Sequence, residues 1–231
     1  MRGIDKIAVC FIMGALLCAA GCKEPEPDGT KDGKEFEGVI TYRLSYEGRD
    51  DRAVYGDTMR LYYSKGNIAK VYNSQGPEAL RKEVFICDKH LYLAQKALSD
   101  TVLTYDLRQK SLEVKSTKRS SDDTRILGHV CKTIEHRSMH SDPNFYVSSS
   151  MSYSKNFLRV DKLRFKDWNF GSFNSYIDEA GCLYLRSEMK IQYYGFAEPV
   201  VKIATAVDIK EQRVDPGIFH VDTTITKPLI L

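Results

Sequence analysis

The chain has 231 residues, and its 34 basic and 31 acidic side chains leave a formal net charge of +3. The lysines and arginines are scattered and form no stripe, which gives nucleic-acid binding no support. Fourteen tyrosines and ten phenylalanines, among many Val, Ile and Thr, favour strands, and the long alanine-leucine periodicity of a helix bundle is absent.

Arg2 and Lys6 lead into an apolar run from Ile7 to Ala20 that closes on small residues, the layout of a cleavable secretion signal. The run is too short for a membrane span. Its ending, Leu16-Leu17-Cys18-Ala19-Ala20-Gly21-Cys22, resembles the bacterial lipobox. That resemblance implies a lipoprotein signal peptide over residues 1–21 and an acylated Cys22, with palmitate-type chains, as the first mature residue. The membrane is then a partner through this anchor, at roughly 0.8 kcal/mol per buried methylene. An ordinary secretory signal cut after Ala20 or Gly21 is the alternative.

Residues 22–35 are rich in Pro, Gly and charge and read as a flexible tether. Lys23, Glu24 and Glu26 resemble the surface-export signals of Bacteroidota lipoproteins, and a plain solvated spacer is the other reading. The second mature position is Lys23, not the Asp associated with inner-membrane retention. An outer-membrane lipoprotein is therefore expected, facing the periplasm or the cell surface. The remaining 36–231, about 195 residues, suit one β-rich domain.

Phe36 to Tyr46 alternates as a half-buried strand, with Phe36, Gly38, Ile40, Tyr42, Leu44 and Tyr46 on one face. A second strand around Met59, Leu61 and Tyr63 turns at Lys65-Gly66-Asn67 into a third through Ile68 and Val71. Pro77 to Lys82 is expected as one helical turn. Short strands recur at Val84 to Cys87, His90 to Ala94, Val102 to Leu107 and Leu112 to Lys115, the spacing of a meander. Ser116 to Asp123 and His136 to Asn144 read as loops around a strand from Ile126 to Ile134.

Farther on, Phe145, Val147, Met151 and Tyr153 alternate with a serine run, and Leu158 to Phe165 is ambiguous. Between Asn169 and Ala180 the period changes: Phe170, Phe173, Tyr176 and Ile177 share a helical face, with Gly181 at the expected C-terminal cap. Strands return at Cys182 to Ser187, Met189 to Tyr194, Val201 to Ile209 and Ile218 to Val221. In the third of these, Val201, Ile203, Val207 and Ile209 form one face. The pattern predicts a mainly β fold: a curled antiparallel sheet or half-barrel of about eleven strands, with one helix near 169–180.

Such a chain resembles the LolA/LppX-like lipoprotein-carrier superfamily and the Bacteroidota lipoproteins similar to it. The resemblance rests on Phe36-Glu37-Gly38-Val39-Ile40-Thr41-Tyr42, Ile126-Leu127-Gly128-His129-Val130-Cys131-Lys132 and Gly181-Cys182-Leu183-Tyr184-Leu185. It implies an incomplete barrel whose apolar concave face binds a lipid or another hydrophobic ligand, with Tyr42, Tyr63, Phe170, Phe173 and Tyr176 as candidate lining residues. A cell-surface module that docks a protein or glycan, with no cavity, is the alternative.

The chain shows no Gly-x-Ser-x-Gly elbow, phosphate-cradling loop or His-Glu-x-x-His pair, so no enzymatic role and no catalytic residues are expected. His129, Cys131, His136 and His140 cluster in sequence. On one strand His129 and Cys131 would share a face opposite His136, so the histidines are expected at the surface and no metal or other cofactor is expected. Cys87, Cys131 and Cys182 are the other mature cysteines. A Cys87–Cys131 disulfide, contributing about 4 kcal/mol, is the favoured pairing, and Cys131–Cys182 competes with it.

Overall fold

The computed structural model describes residues 34–140, 145–193, 198–221 and 225–229. The predicted signal peptide, Cys22 and nearly all of the tether lie outside the described residues. Twelve strands form one sheet: β1 (Gly38–Glu47), β2 (Thr58–Ser64), β3 (Asn67–Tyr72), β4 (Leu80–Ile86), β5 (Leu91–Lys96) and β6 (Thr101–Asp106). The rest are β7 (Leu112–Ile126), β8 (His129–His140), β9 (Phe145–Tyr153), β10 (Arg186–Tyr193), β11 (Val200–Glu211) and β12 (Ile225–Pro228).

Across the sheet the order is β12-β6-β5-β4-β3-β2-β1-β11-β10-β9-β8-β7. Two meanders build it. The first runs outward from β1 to β6; the second starts at the opposite edge with β7 and returns until β11 docks antiparallel on β1. Only β12, parallel to β6, breaks the antiparallel rule. The sheet is curled and unclosed, as the strand pattern predicts.

Alternation places Ile40, Tyr42 and Leu44 of β1 and Met59, Leu61 and Tyr63 of β2 on the concave face, where all six are buried. Opposite them, across the β3–β6 half, Ala69, Val84, Leu93 and Val102 form a second apolar cluster on the convex face. Ile218, Phe219 and Val221 cover this cluster. The expected strand from Ile218 to Val221 is instead a single 3-10 turn, Pro216–Phe219, capped by Asp215 through the Gly217 N–H at 2.9 Å. These apolar residues pack against the sheet instead of extending it.

Other expectations are corrected by hydrogen bonding. Pro77 to Lys82 forms no helix: the Ala79 N–H bonds the Gly76 carbonyl at 3.2 Å, and Leu80 already begins β4. Ser116 to Asp123 is not a loop but the middle of β7, a strand at the sheet edge that is held by its ladder to β8. An edge strand wet on both faces needs no apolar alternation, so its sequence looks like a loop. The expected strand from Ile126 to Ile134 is interrupted by a hairpin at Leu127-Gly128, both with positive φ (51° and 82°), and β8 continues to His140. A left-handed leucine is uncommon, which hides this turn, whereas Lys65-Gly66 (φ 50° and 85°) makes the same turn where it was expected.

Two α-helices, α1 (Arg52–Tyr55) and α2 (Phe173–Ala180), and a second 3-10 turn, Lys162–Phe165, complete the described elements. The predicted helix begins four residues late because Asn169 is tied down elsewhere, its N–H on the Leu107 carbonyl at 2.6 Å and its carbonyl taking the Ser111 N–H at 3.2 Å. The helix ends as predicted: Gly181 is left-handed (φ 67°), and its N–H bonds the Ile177 carbonyl at 2.9 Å.

Candidate functional site

Between β9 and β10 the chain leaves the sheet and crosses its concave face. Backbone hydrogen bonds fasten this cap to both halves. The Phe36 N–H bonds the Arg159 carbonyl at 2.7 Å, the Leu185 N–H bonds the Ser152 carbonyl at 2.7 Å, and the Ala206 N–H bonds the Leu185 carbonyl at 2.7 Å. Phe165, Trp168, Tyr176, Ile177 and Leu183 of the cap are fully buried against β1 and β2. Trp168 stacks on Phe85 with ring centroids 5.6 Å apart, and Phe170 stacks on Tyr92 at 5.0 Å.

The cap does not fill the concavity. A cavity of about 190 Å³ remains, walled by Leu44, Met59, Leu61 and Ile68 from β1 to β3, Met151 from β9, and Trp168, Phe170 and Phe173 from the cap. An engineered cavity of roughly 150 Å³ accepts benzene, so this space suits one short chain or a single ring and excludes a whole diacyl lipid. Of the five predicted lining residues, Phe170 and Phe173 do face it.

Tyr42, Tyr63 and Tyr176 do not line the cavity; they are fully buried in the core. Tyr42 donates to the Tyr184 carbonyl at 2.7 Å, and Tyr63 donates to Glu35. Tyr176 is enclosed between sheet and cap, edge-on to Tyr153 and Tyr184 at centroid distances of 6.0 and 6.5 Å. An apolar body with a polar tip serves equally well to pack a sheet against a cap.

Two lysines line this apolar space, Lys70 of β3 and Lys202 of β11. Lys70 lies over the Phe85 ring at 5.0 Å and Lys202 over the Tyr55 ring at 3.8 Å. Glu83, directly across from Lys70 on β4, accepts from the Tyr92 hydroxyl at 2.6 Å and from the Tyr72 hydroxyl. Burial opposes the Glu83 charge, yet Lys70, Lys202 and the two hydroxyls outweigh it and hold the carboxyl below its usual range. Burial also opposes the Lys70 charge; the Tyr184 oxygen and Glu83 outweigh it and keep that amine above its ordinary value. Lys202 is different. Burial, with repulsion from Lys70, pulls it down to about 8 against the attraction of Glu83.

The two lysines at the cavity and Glu83 beside them are candidate residues that the sequence reading missed. Lys70 stands between Ile68 and Tyr72 at an inward position of an alternating strand, and that intruding charge was the available signal. On β11 the expected face is corrected: Lys202, Ala204 and Ala206 point inward, a bulge at Val207 (41% exposed) switches the parity, and only beyond it does Ile209 pack against the core as expected. Alanines stand where the cap approaches the strand, as the hydrogen bond from the Ala206 N–H to the Leu185 carbonyl shows.

Cys87, Cys131 and Cys182 are all free, buried thiols. The predicted Cys87–Cys131 bridge fails on topology: Cys87 closes β4, Cys131 lies on β8, and six strands stand between them. The two Cα atoms must come within about 7 Å for a disulfide. Cys87 donates instead to the Arg164 carbonyl at 2.7 Å. Cys182 sits in the core, where burial pushes its thiol up to about 12.

The histidine geometry also differs from expectation. Cys131 and His136 are both buried, each 1% exposed, against the expectation of opposite faces with the histidine at the surface. His136 Nδ1 pairs with the Thr117 hydroxyl at 3.0 Å, and burial lowers its pKa. His129 stacks on Phe157 at 3.8 Å. Among the described residues no three His, Cys, Asp or Glu side chains are placed to share a metal.

No protein-family model matches this chain, and neither a curated protein nor a solved structure matches it at a significant level.

Proposed function

We propose that this chain is an exported lipoprotein, anchored in the outer membrane through an acylated Cys22, whose concave face holds a small apolar or amphiphilic group. The observation that carries the binding reading is the cavity of about 190 Å³ left under the cap. Cores are normally packed to the density of organic crystals. A space walled by Met59, Leu61, Met151 and Phe173 leaves their contacts unmade unless something occupies it. On this reading the protein binds and does not catalyse. The curled open sheet supports the LolA-like analogy.

Native mass spectrometry of the chain purified from its own bacterium's envelope, followed by organic extraction, tests the proposal. A co-purifying small amphiphile, lost when Ala204→Phe fills the cavity, is expected. An empty, folded protein would contradict it.

A second reading, a surface module for a protein or glycan, draws on a different place. Leu127 (45% exposed) and Val207 (41%) flank a shallow apolar depression with Phe36, Phe157 and His129 near the β7–β8 hairpin. Capture of a specific envelope partner, lost on Leu127→Asp, would favour this reading.

A further inference from the structure

We infer that the cavity is built for a small monoanionic amphiphile, with a carboxylate received between Lys70 and Lys202 and a short apolar arm lying against Met59, Leu61, Met151 and Phe173. The inference rests on the binding reading above and gives it a ligand class.

Three observations carry it. First, among the described residues neither lysine has a hydrogen-bond or ion-pair partner; each ammonium instead faces an aromatic ring, at 5.0 Å for Lys70 and 3.8 Å for Lys202. A charge lining an apolar space normally has a counterion.

Second, the local carboxylates do not neutralise the pair. Among the described residues Glu83 is the only one facing both lysines, and two tyrosine hydroxyls already hold it. Glu188, at the cavity wall, is engaged by the Arg186 guanidinium at 3.1 Å. Asp51, which also acts on Lys202, is taken by the Arg49 guanidinium at 2.7 Å, so two cations against one remaining carboxylate leave a single uncompensated positive charge. That suits a monoanion better than a phosphate dianion, and lysine offers it a compact point charge in place of a fork.

Third, the receiving groups stand on the sheet. Lys70 is on β3 and Lys202 on β11, both paired on two sides. Their backbone positions are fixed before a ligand arrives, which reduces the ordering cost of binding. By the benzene comparison, the apolar walls leave room for about six to eight carbons.

The test is isothermal titration of the full chain carrying Cys22→Ser, which removes any attached acyl group, with hexanoate, 1-hexanol, hexylammonium and hexyl phosphate. Hexanoate is expected to bind about ten- to a hundredfold more tightly than hexanol, the scale of a charged hydrogen bond. Hexylammonium should not bind, and hexyl phosphate should bind more weakly than hexanoate. Lys70→Met and Lys202→Met should each remove the preference for hexanoate over hexanol, and a cooperative urea transition of each variant shows that it folds.

If hexanol binds as well as hexanoate, or hexyl phosphate binds better, the monoanion inference is overturned while the cavity reading stands. If none of the four binds the folded chain, the cavity reading itself falls, and the inference falls with it.

Discussion

Replacing Lys202 with methionine should stabilise the protein. The side chain faces an apolar space and keeps its charge against burial, which pulls its pKa from 10.5 to about 8. At about 1.4 kcal/mol per pH unit, the fold opposes the charged amine by roughly 3 kcal/mol at neutral pH. The contact with the Tyr55 ring returns about 1 kcal/mol of that. Methionine has a similar length and suits an apolar wall, so Lys202→Met should gain about 2 kcal/mol, or roughly 5 °C in Tm for a domain of this size. Glu83 keeps Lys70 opposite it and both tyrosine hydroxyls.

The gain has a pH signature. Between about pH 8 and 10.5 the unfolded chain keeps a proton on Lys202 that the folded chain has released, so wild-type stability rises with pH through that window. The advantage of the variant should therefore shrink toward zero as pH rises from about 7 to 9.5. Lys70, Glu83 and Asp51, the other charged groups acting on this amine, are common to both proteins, and their titration largely cancels in the difference. Urea unfolding of both proteins across that range measures it. A variant less stable than wild type at pH 7, or a gap that does not change with pH, would refute the reasoning.

Tyr42→Phe should destabilise by about 1 kcal/mol, because it strands the buried Tyr184 carbonyl at the joint between sheet and cap; urea denaturation measures this. Gly181→Ala should destabilise by about 1 kcal/mol or more. It forces alanine into a left-handed conformation, and the new Cβ would meet Lys162 Cε at 2.8 Å, with the loss read as a lower Tm. The thiols of Cys87, Cys131 and Cys182 should resist a water-soluble thiol reagent in the native state and all react in denaturant. Rapid native labelling would contradict the burial described above.

Much of the fold was legible because period-two alternation survives wherever one strand face is wet. In β1 and β2 the inward residues Ile40, Tyr42, Leu61 and Tyr63 announce themselves. Legibility failed where the sheet changes its rules. The edge strand β7 is polar on both faces and reads as a loop, and the Leu127-Gly128 hairpin lacks the usual turn residues. On β11 the inward positions before the bulge at Val207 are alanines and a lysine, so apolar residues on the other parity mislead there.

The site was half legible. The aromatic excess pointed to a lined concavity, and Phe170 and Phe173 do line it. Sequence cannot say which tyrosines pack the core and which face a gap, because that depends on the path of the cap. Cysteine pairing failed for the same reason. Positions 44 residues apart in sequence, Cys87 and Cys131, are separated by six intervening strands in a sheet whose halves run outward and back.

Trp168 is the single tryptophan, and it lines the cavity. Its quenching by 6-bromohexanoate therefore reports directly on entry into the cavity, since bromine quenches only at close contact. Saturable quenching at low ligand concentration, suppressed by Ala204→Phe and weakened by Lys202→Met, is expected. Quenching that rises linearly without saturation, equal in wild type and both variants, would mean that the ligand never enters the cavity, and the binding account would be contradicted.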